Sequence, residues 1–121
     1  MRYLLDTDVC IRVLNGTSPA VVDRLRSLGP HDVGISAVVR AELVFGAEKS
    51  ARPAENLRLV SAFLAPFAGV PFDHAAADAY GGIRAALERT GRPIGTNDLL
   101  IAATAVARSL TLVTHNLTEF T

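Results

Sequence analysis

Four short apolar runs, at residues 2–5, 33–35, 69–72 and 111–114, recur along the chain with helical segments between them. Runs this short and this apolar read as buried strands. Strands separated by helices build a mostly parallel sheet, because a parallel neighbour is reached only through a long crossover. The chain is therefore expected to be an α/β domain. In such a sheet, ligands gather at the carboxyl ends of the strands, so the residues standing there matter most.

The segments between the runs carry helix signals. Asp6-Thr7-Asp8 marks a helix start, since Asp and Thr side chains satisfy the free N–H groups of a first turn. Asn15-Gly16 suits a left-handed cap, and Ser18-Pro19 opens the next helix, which stops at Gly29-Pro30. Ser36 caps a helix running to about Lys49, Pro53 opens another, and an Ala-rich helix covers residues 73–89. A loop at residues 91–97 leads into a helix beginning near Asp98. Leu99, Leu100, Ile101, Ala102, Ala103 and Val106 make that helix apolar on nearly all sides, which predicts a central position.

Composition narrows the function classes. Twelve basic and twelve acidic residues cancel, so no bulk basic field draws the chain onto nucleic acid. Binding of that kind needs a local patch. Half the residues are hydrophobic and the mean hydropathy is +0.30, which excludes disorder as the main state and leaves apolar surface for a partner to cover. The single Cys10 rules out an internal disulfide and suits a reducing cytosol. The apolar run at residues 99–107 is far short of the roughly 20 residues of a membrane span. Asp6 also interrupts the N-terminus before a signal-peptide core can form. A cytoplasmic protein with no membrane partner is expected.

Asp6 directly follows the first run and Asn116 stands two residues past Thr114, so both point to one crevice. Asp98 opens the apolar helix. Taken singly, Asp6 and Asp98 also read as helix caps that complement the helix dipole. Glu42 is different, because its helical neighbours are Val38, Val39, Phe45 and Gly46. A carboxylate on an apolar face must be paired, coordinated or protonated. Lys49, the nearest base along that face, is seven residues on, about 10 Å by helical rise. Such a Glu also fits a core-edge residue bonded to backbone or Arg. Three carboxylates from distant segments suit a hard divalent cation, Mg²⁺ or Mn²⁺, which prefers oxygen ligands. His31, His74 and His115 are isolated and form no zinc pattern. No Ser or Cys nucleophile motif and no glycine-rich phosphate loop is present; Gly81-Gly82 lies within a helix pattern and suits close packing.

The blocks Tyr3-Leu4-Leu5-Asp6-Thr7-Asp8, Ser36 to Glu42-Leu43, Ile94-Gly95-Thr96-Asn97-Asp98-Leu99 and Leu110 to Asn116 with Glu119-Phe120 resemble a PIN domain. The likeness is nearest to the VapC toxins of bacterial type II toxin–antitoxin systems and covers essentially the whole chain. It implies one PIN-like three-layer domain over residues 1–121, with a central, mostly parallel sheet of four to five strands flanked by helices. It also implies a Mg²⁺- or Mn²⁺-dependent ribonuclease leaving a 5′-phosphate and a 3′-hydroxyl. Carried over, Asp6, Glu42 and Asp98 would be the catalytic acids and metal ligands. Asn116 would fill the fourth metal position, often Asp in the family, with Glu119 a substitute one turn away. Thr7 and Thr114 would be water-positioning hydroxyls. A VapB-type antitoxin and a homodimeric state are implied as partners.

Two departures stand out. Asp8 replaces the Asn or Ser common in relatives and adds a negative charge beside the expected metal; capping is its alternative role. The chain ends at Thr121, whereas relatives usually continue for a further short strand, so that strand is expected to be truncated or missing. Eleven Arg against one Lys supply forked donors suited to phosphate, with Arg12, Arg40, Arg84, Arg89 and Arg92 as candidates; each also suits a solvated helix face. Two other readings stay open. A degenerate module could bind RNA or a partner without catalysis, and Asp6-Thr7-Asp8 superficially matches the start of a haloacid-dehalogenase-like phosphatase.

Overall fold

The computed structural model describes residues 1–92 and 94–114. Its four strands are β1 (Tyr3–Leu5), β2 (Val33–Ser36), β3 (Ala68–Val70) and β4 (Thr111–Val113), in the order β3-β2-β1-β4. All pairings are parallel: Leu4 sits opposite Gly34 on one side and Leu112 on the other, and Ile35 sits opposite Gly69. Six α-helices connect and cover them: α1 (Thr7–Asn15), α2 (Pro19–Ser27), α3 (Ala37–Glu48), α4 (Pro53–Leu64), α5 (His74–Arg89) and α6 (Thr96–Ala107). The expected α/β class and the four strands are thus found among the described residues. The further C-terminal strand falls outside them.

The helix boundaries follow the anticipated chemistry. Asp6 caps α1 by accepting from the Val9 amide at 2.9 Å, and Ser36 caps α3 by accepting from the Val39 amide at 3.1 Å. Asp73 caps α5 through the Ala76 amide. Gly16 ends α1 at φ 65°, a left-handed conformation that glycine adopts without a Cβ clash. Several strand ends shift by one residue and two boundaries move by two. The third strand ends at Val70, two residues before the expected end, because Pro71 has no N–H for the ladder. Helix α6 begins at Thr96, ahead of Asp98, from a Gly95 cap that no side chain marks.

The core lies between the sheet and the helices. Leu4, Leu5, Cys10 and Val39 are fully buried, with Val9, Val33 and Ile101 almost so. Helix α6 buries Leu99, Ile101, Ala103, Thr104 and Ala105, but Val106 is 60 % exposed, so its central position leaves one apolar side open. Thr104 is accommodated by donating its hydroxyl to the Leu100 carbonyl at 2.8 Å.

Ser36 ends β2 and starts α3 while 1 % exposed, so its cap cannot be replaced by water. Ser36→Ala is expected to lower stability by about 1–2 kcal/mol, seen as a lower urea midpoint with an unchanged slope.

Candidate active site

Asp6 and Thr114 follow neighbouring strands, and the Asp6 amide donates to the Val113 carbonyl at 3.0 Å. This bond extends the ladder one residue past β1 and holds the Asp6 backbone at the carboxyl edge. Thr7, at the first position of α1, has a buried hydroxyl with no hydrogen-bond partner among the described residues. Asp8 lies in the first turn and is exposed, while Asp6 holds the N-cap position. Thr114 is half-buried against an apolar cavity of about 390 Å³ between Tyr3, Val9, Val21, Leu25 and Leu112.

Asp98 is exposed at the third position of α6. One carboxylate oxygen, Oδ2, would lie 3.7 Å from a Cβ placed on Gly95, so the side chain folds back toward the positive end of its helix. It does not cap that helix by a side-chain bond. Helix α6 returns the chain to the amino end of β4, and Asp98 stands at the end opposite that connection.

Glu42 is half-buried in the middle of α3, about 9 Å by helical rise from Ser36. It lines a cavity of about 300 Å³ with Ile11, Leu14, Asn15, Asn56 and Leu59. It makes no hydrogen bond or ion pair among the described residues, so the core-edge pairing with backbone or Arg is not found there. Lys49 does not reach it; its ammonium sits over the Phe45 ring, 5.2 Å from the centroid. Asn116 and Glu119 lie outside the described residues.

The donor set is hard: carboxylates at Asp6, Asp98 and Glu42, with the Thr7 hydroxyl as an orphaned oxygen beside Asp6. In kind these donors fit Mg²⁺ or Mn²⁺. In placement, no three His, Cys, Asp or Glu side chains among the described residues stand close enough to hold an ion.

The arginines sort clearly. Arg84 is held by the Tyr80 hydroxyl at 3.0 Å and Glu88 at 3.2 Å, and Arg12 donates to Ser18 Oγ at 3.3 Å. Arg40, Arg89 and Arg92 make no such bond among the described residues, and of these Arg40 stands nearest the sheet's carboxyl edge along its helix, in the first turns of α3, whereas Arg89 ends α5. Sequence reasoning passed over Cys10, whose amide donates to the Asp6 carbonyl at 3.3 Å.

The PIN domain family profile matches residues 3–118. The chain belongs to the PIN-domain family. It is 39 % identical to a tRNA(fMet)-specific endonuclease VapC of Shigella flexneri, over 99 % of this chain and 90 % of that one. It is 37 % identical to ribonuclease VapC2 of Rickettsia felis, again over 99 % and 90 %. A crystal structure of VapBC2 from Rickettsia felis, bound to a promoter DNA fragment, superposes with TM-score 0.92 at 35 % identity, covering 99 % of this chain and 92 % of that chain. A DNA-bound VapBC from Salmonella typhimurium gives the same TM-score at 38 % identity, over 99 % and 90 %. Within the PIN-domain family the chain falls with the VapC ribonucleases, and the phosphatase reading drops out. No helix among the described residues is long and apolar enough to cross a membrane.

Burial pushes the Cys10 thiol up to about 12, from an ordinary 9.0, and the Asp6 carboxylate adds to the rise. The folded state therefore binds the thiol proton more tightly than the unfolded chain. Its contribution is complete below about pH 9 and is lost as pH rises toward 12. Cys10→Ala should show a shallower loss of stability than the native protein across that range in denaturant titrations. Parallel curves would show that the thiol does not titrate on unfolding.

Proposed function

We propose that this PIN-domain protein, one domain over residues 1–121, is a metal-dependent endoribonuclease and the toxin of a toxin–antitoxin pair. The full-length similarity to VapC ribonucleases carries the reading. Asp6 and Asp98 would hold Mg²⁺ or Mn²⁺, with Glu42 and Asn116 completing the ligand set. A hard dication supplies charge neutralisation and Lewis-acid polarisation at a phosphate.

The chain's own residues do the rest. Asp6 is held by the Val9 and Val113 contacts, so its position needs no reorganisation when substrate arrives. The Thr7 hydroxyl can donate to or accept from a water beside Asp6. Glu42 can accept the proton of the attacking water as a new P–O bond forms and the bond to the 3′-oxygen breaks, and the leaving 3′-oxygen takes up a proton from solvent. The products are a 5′-phosphate and a 3′-hydroxyl. Thr114 and Asp8 orient groups at the same edge, and Glu119 is a second source of charge near Asn116.

The proposed partners are RNA and a VapB-type antitoxin, with a homodimer as the assembled toxin, in the cytosol. The solved relatives described as VapBC complexes support the antitoxin. The first RNA to test is tRNA(fMet), the substrate in the name of the Shigella flexneri relative.

Cleavage of that RNA is expected with Mn²⁺ and should stop with EDTA. RNA bound tightly but left intact would favour the binding-only module. Asp98→Asn should shrink the Mn²⁺-induced rise in melting temperature; an unchanged rise would remove Asp98 from the ligand set. Glu42→Gln keeps shape and loses charge, so it should melt like the native protein yet lose growth inhibition on expression. A fully toxic Glu42→Gln would make Glu42 a tolerated core-edge residue.

A further inference from the structure

Beside the acidic positions, a second feature occupies the same sheet edge. A cavity of about 270 Å³ opens at the carboxyl ends of β2 and β3. Its walls are apolar, formed by Ile35, Leu64, Phe67 and Pro71, and Arg40 stands on its lining from the first turns of α3. Arg40 is exposed and makes no hydrogen bond or ion pair among the described residues, whereas Arg2, Arg52, Arg84 and Arg108 are each paired with a carboxylate.

Position decides what this combination suits. Strands lie about 4.8 Å apart, so the ends of β2 and β3 are roughly 5–10 Å along the edge from Asp6. That is the reach of a neighbouring nucleotide on a strand whose scissile phosphate sits at Asp6. A nucleotide has the matching chemistry: a flat base with apolar faces for the slot, and a phosphate for the guanidinium. Phe67 supplies an aromatic surface at the wall, already braced edge-on by Phe63 with ring centroids 5.5 Å apart. In a chain of zero net charge, such a local site is where affinity for RNA must come from.

We infer that this cavity is a nucleobase subsite, taking the base of a nucleotide that flanks the cut while Arg40 holds its phosphate. The inference rests on the endoribonuclease reading and adds to it a place where base identity can be read.

Gly69 offers a clean test. It lines the cavity, and a Cβ added there meets no heavy atom within 4 Å. A β-branched residue also suits a strand. Gly69→Ile should therefore fill the slot without unfolding the protein, which a thermal melt checks. The probe is an oligoribonucleotide that the native protein cleaves, made in a series with one abasic nucleotide at each position around the cut. For the native protein, one flanking abasic position should raise KM about tenfold or more, with kcat unchanged. For Gly69→Ile, the intact oligonucleotide should already show that higher KM, and the abasic change at that position should add nothing. Arg40→Gln should weaken all members of the series alike and lower the salt dependence of binding by about one phosphate contact.

Native KM values for Gly69→Ile with an undiminished abasic penalty would overturn the subsite while leaving the nuclease reading intact. If the native protein cleaves no RNA, that reading fails, and a short single-stranded oligoribonucleotide with one abasic nucleotide at each position in turn is read by equilibrium binding instead. An abasic penalty in Kd that Gly69→Ile abolishes upholds the subsite, and its absence removes it. Should Gly69→Ile not fold, the Arg40→Gln arm decides: unchanged RNA affinity and salt slope overturn the proposal.

Discussion

The structure depends on how Asp6 is fastened. Its amide extends the β1–β4 ladder to Val113, its carbonyl receives the Cys10 amide as α1 begins, and its carboxylate caps α1 at Val9. Three contacts at one residue convert the end of a three-residue strand into a fixed corner. Strands this short contribute few ladder bonds, so the corner and the fully buried Leu4 and Leu5 before it set the register of the central pair. The same corner fixes a carboxylate at the edge where a parallel sheet collects its ligands.

Legibility in the sequence followed the physical origin of each feature. Where a capping side chain or a left-handed glycine makes the boundary, as at Asp6, Ser36 and Gly16, the residue type announced it. Where the backbone alone makes it, the sequence was silent: nothing in Gly95 marks the start of α6. The third strand was read two residues too far because Phe72 looks like strand, while Pro71 before it has no donor to continue the ladder. The acidic residues were recognisable by type and spacing. Their mutual distances were not, because those depend on how α3 and α6 pack on the sheet. Glu42 shows the difference: its apolar neighbours were visible in sequence, but the cavity it lines is built from α1 and α4 as well.

Charge balance explains the economy of the surface. Acids and bases are equal in number, and among the described residues four of the eleven arginines are paired with carboxylates, in exposed pairs of the kind that contribute little to stability. What they do achieve is to neutralise those four cations locally. An arginine without a carboxylate partner at the carboxyl edge is open to a polyanion there. Arg40 occupies that position by its place on α3, one turn beyond the buried Ser36 cap.

The three acids are not equivalent in how the fold supports them. Asp6 and Asp98 each sit in or before the first turn of a helix, where the aligned peptide dipoles favour a negative charge. Glu42 lies mid-helix, among apolar groups and two amides, without that support. Gathering three carboxylates in one crevice costs repulsion that only a cation or a proton can offset. The fold offsets part of that cost at two positions through helix ends, and among the described residues no three such side chains stand close enough to share an ion. A cation would thus find two acids each already stabilised by its own helix end. In the proposed site Glu42 would be the one acid whose charge has no helix end to support it, so its place there would depend most on the cation.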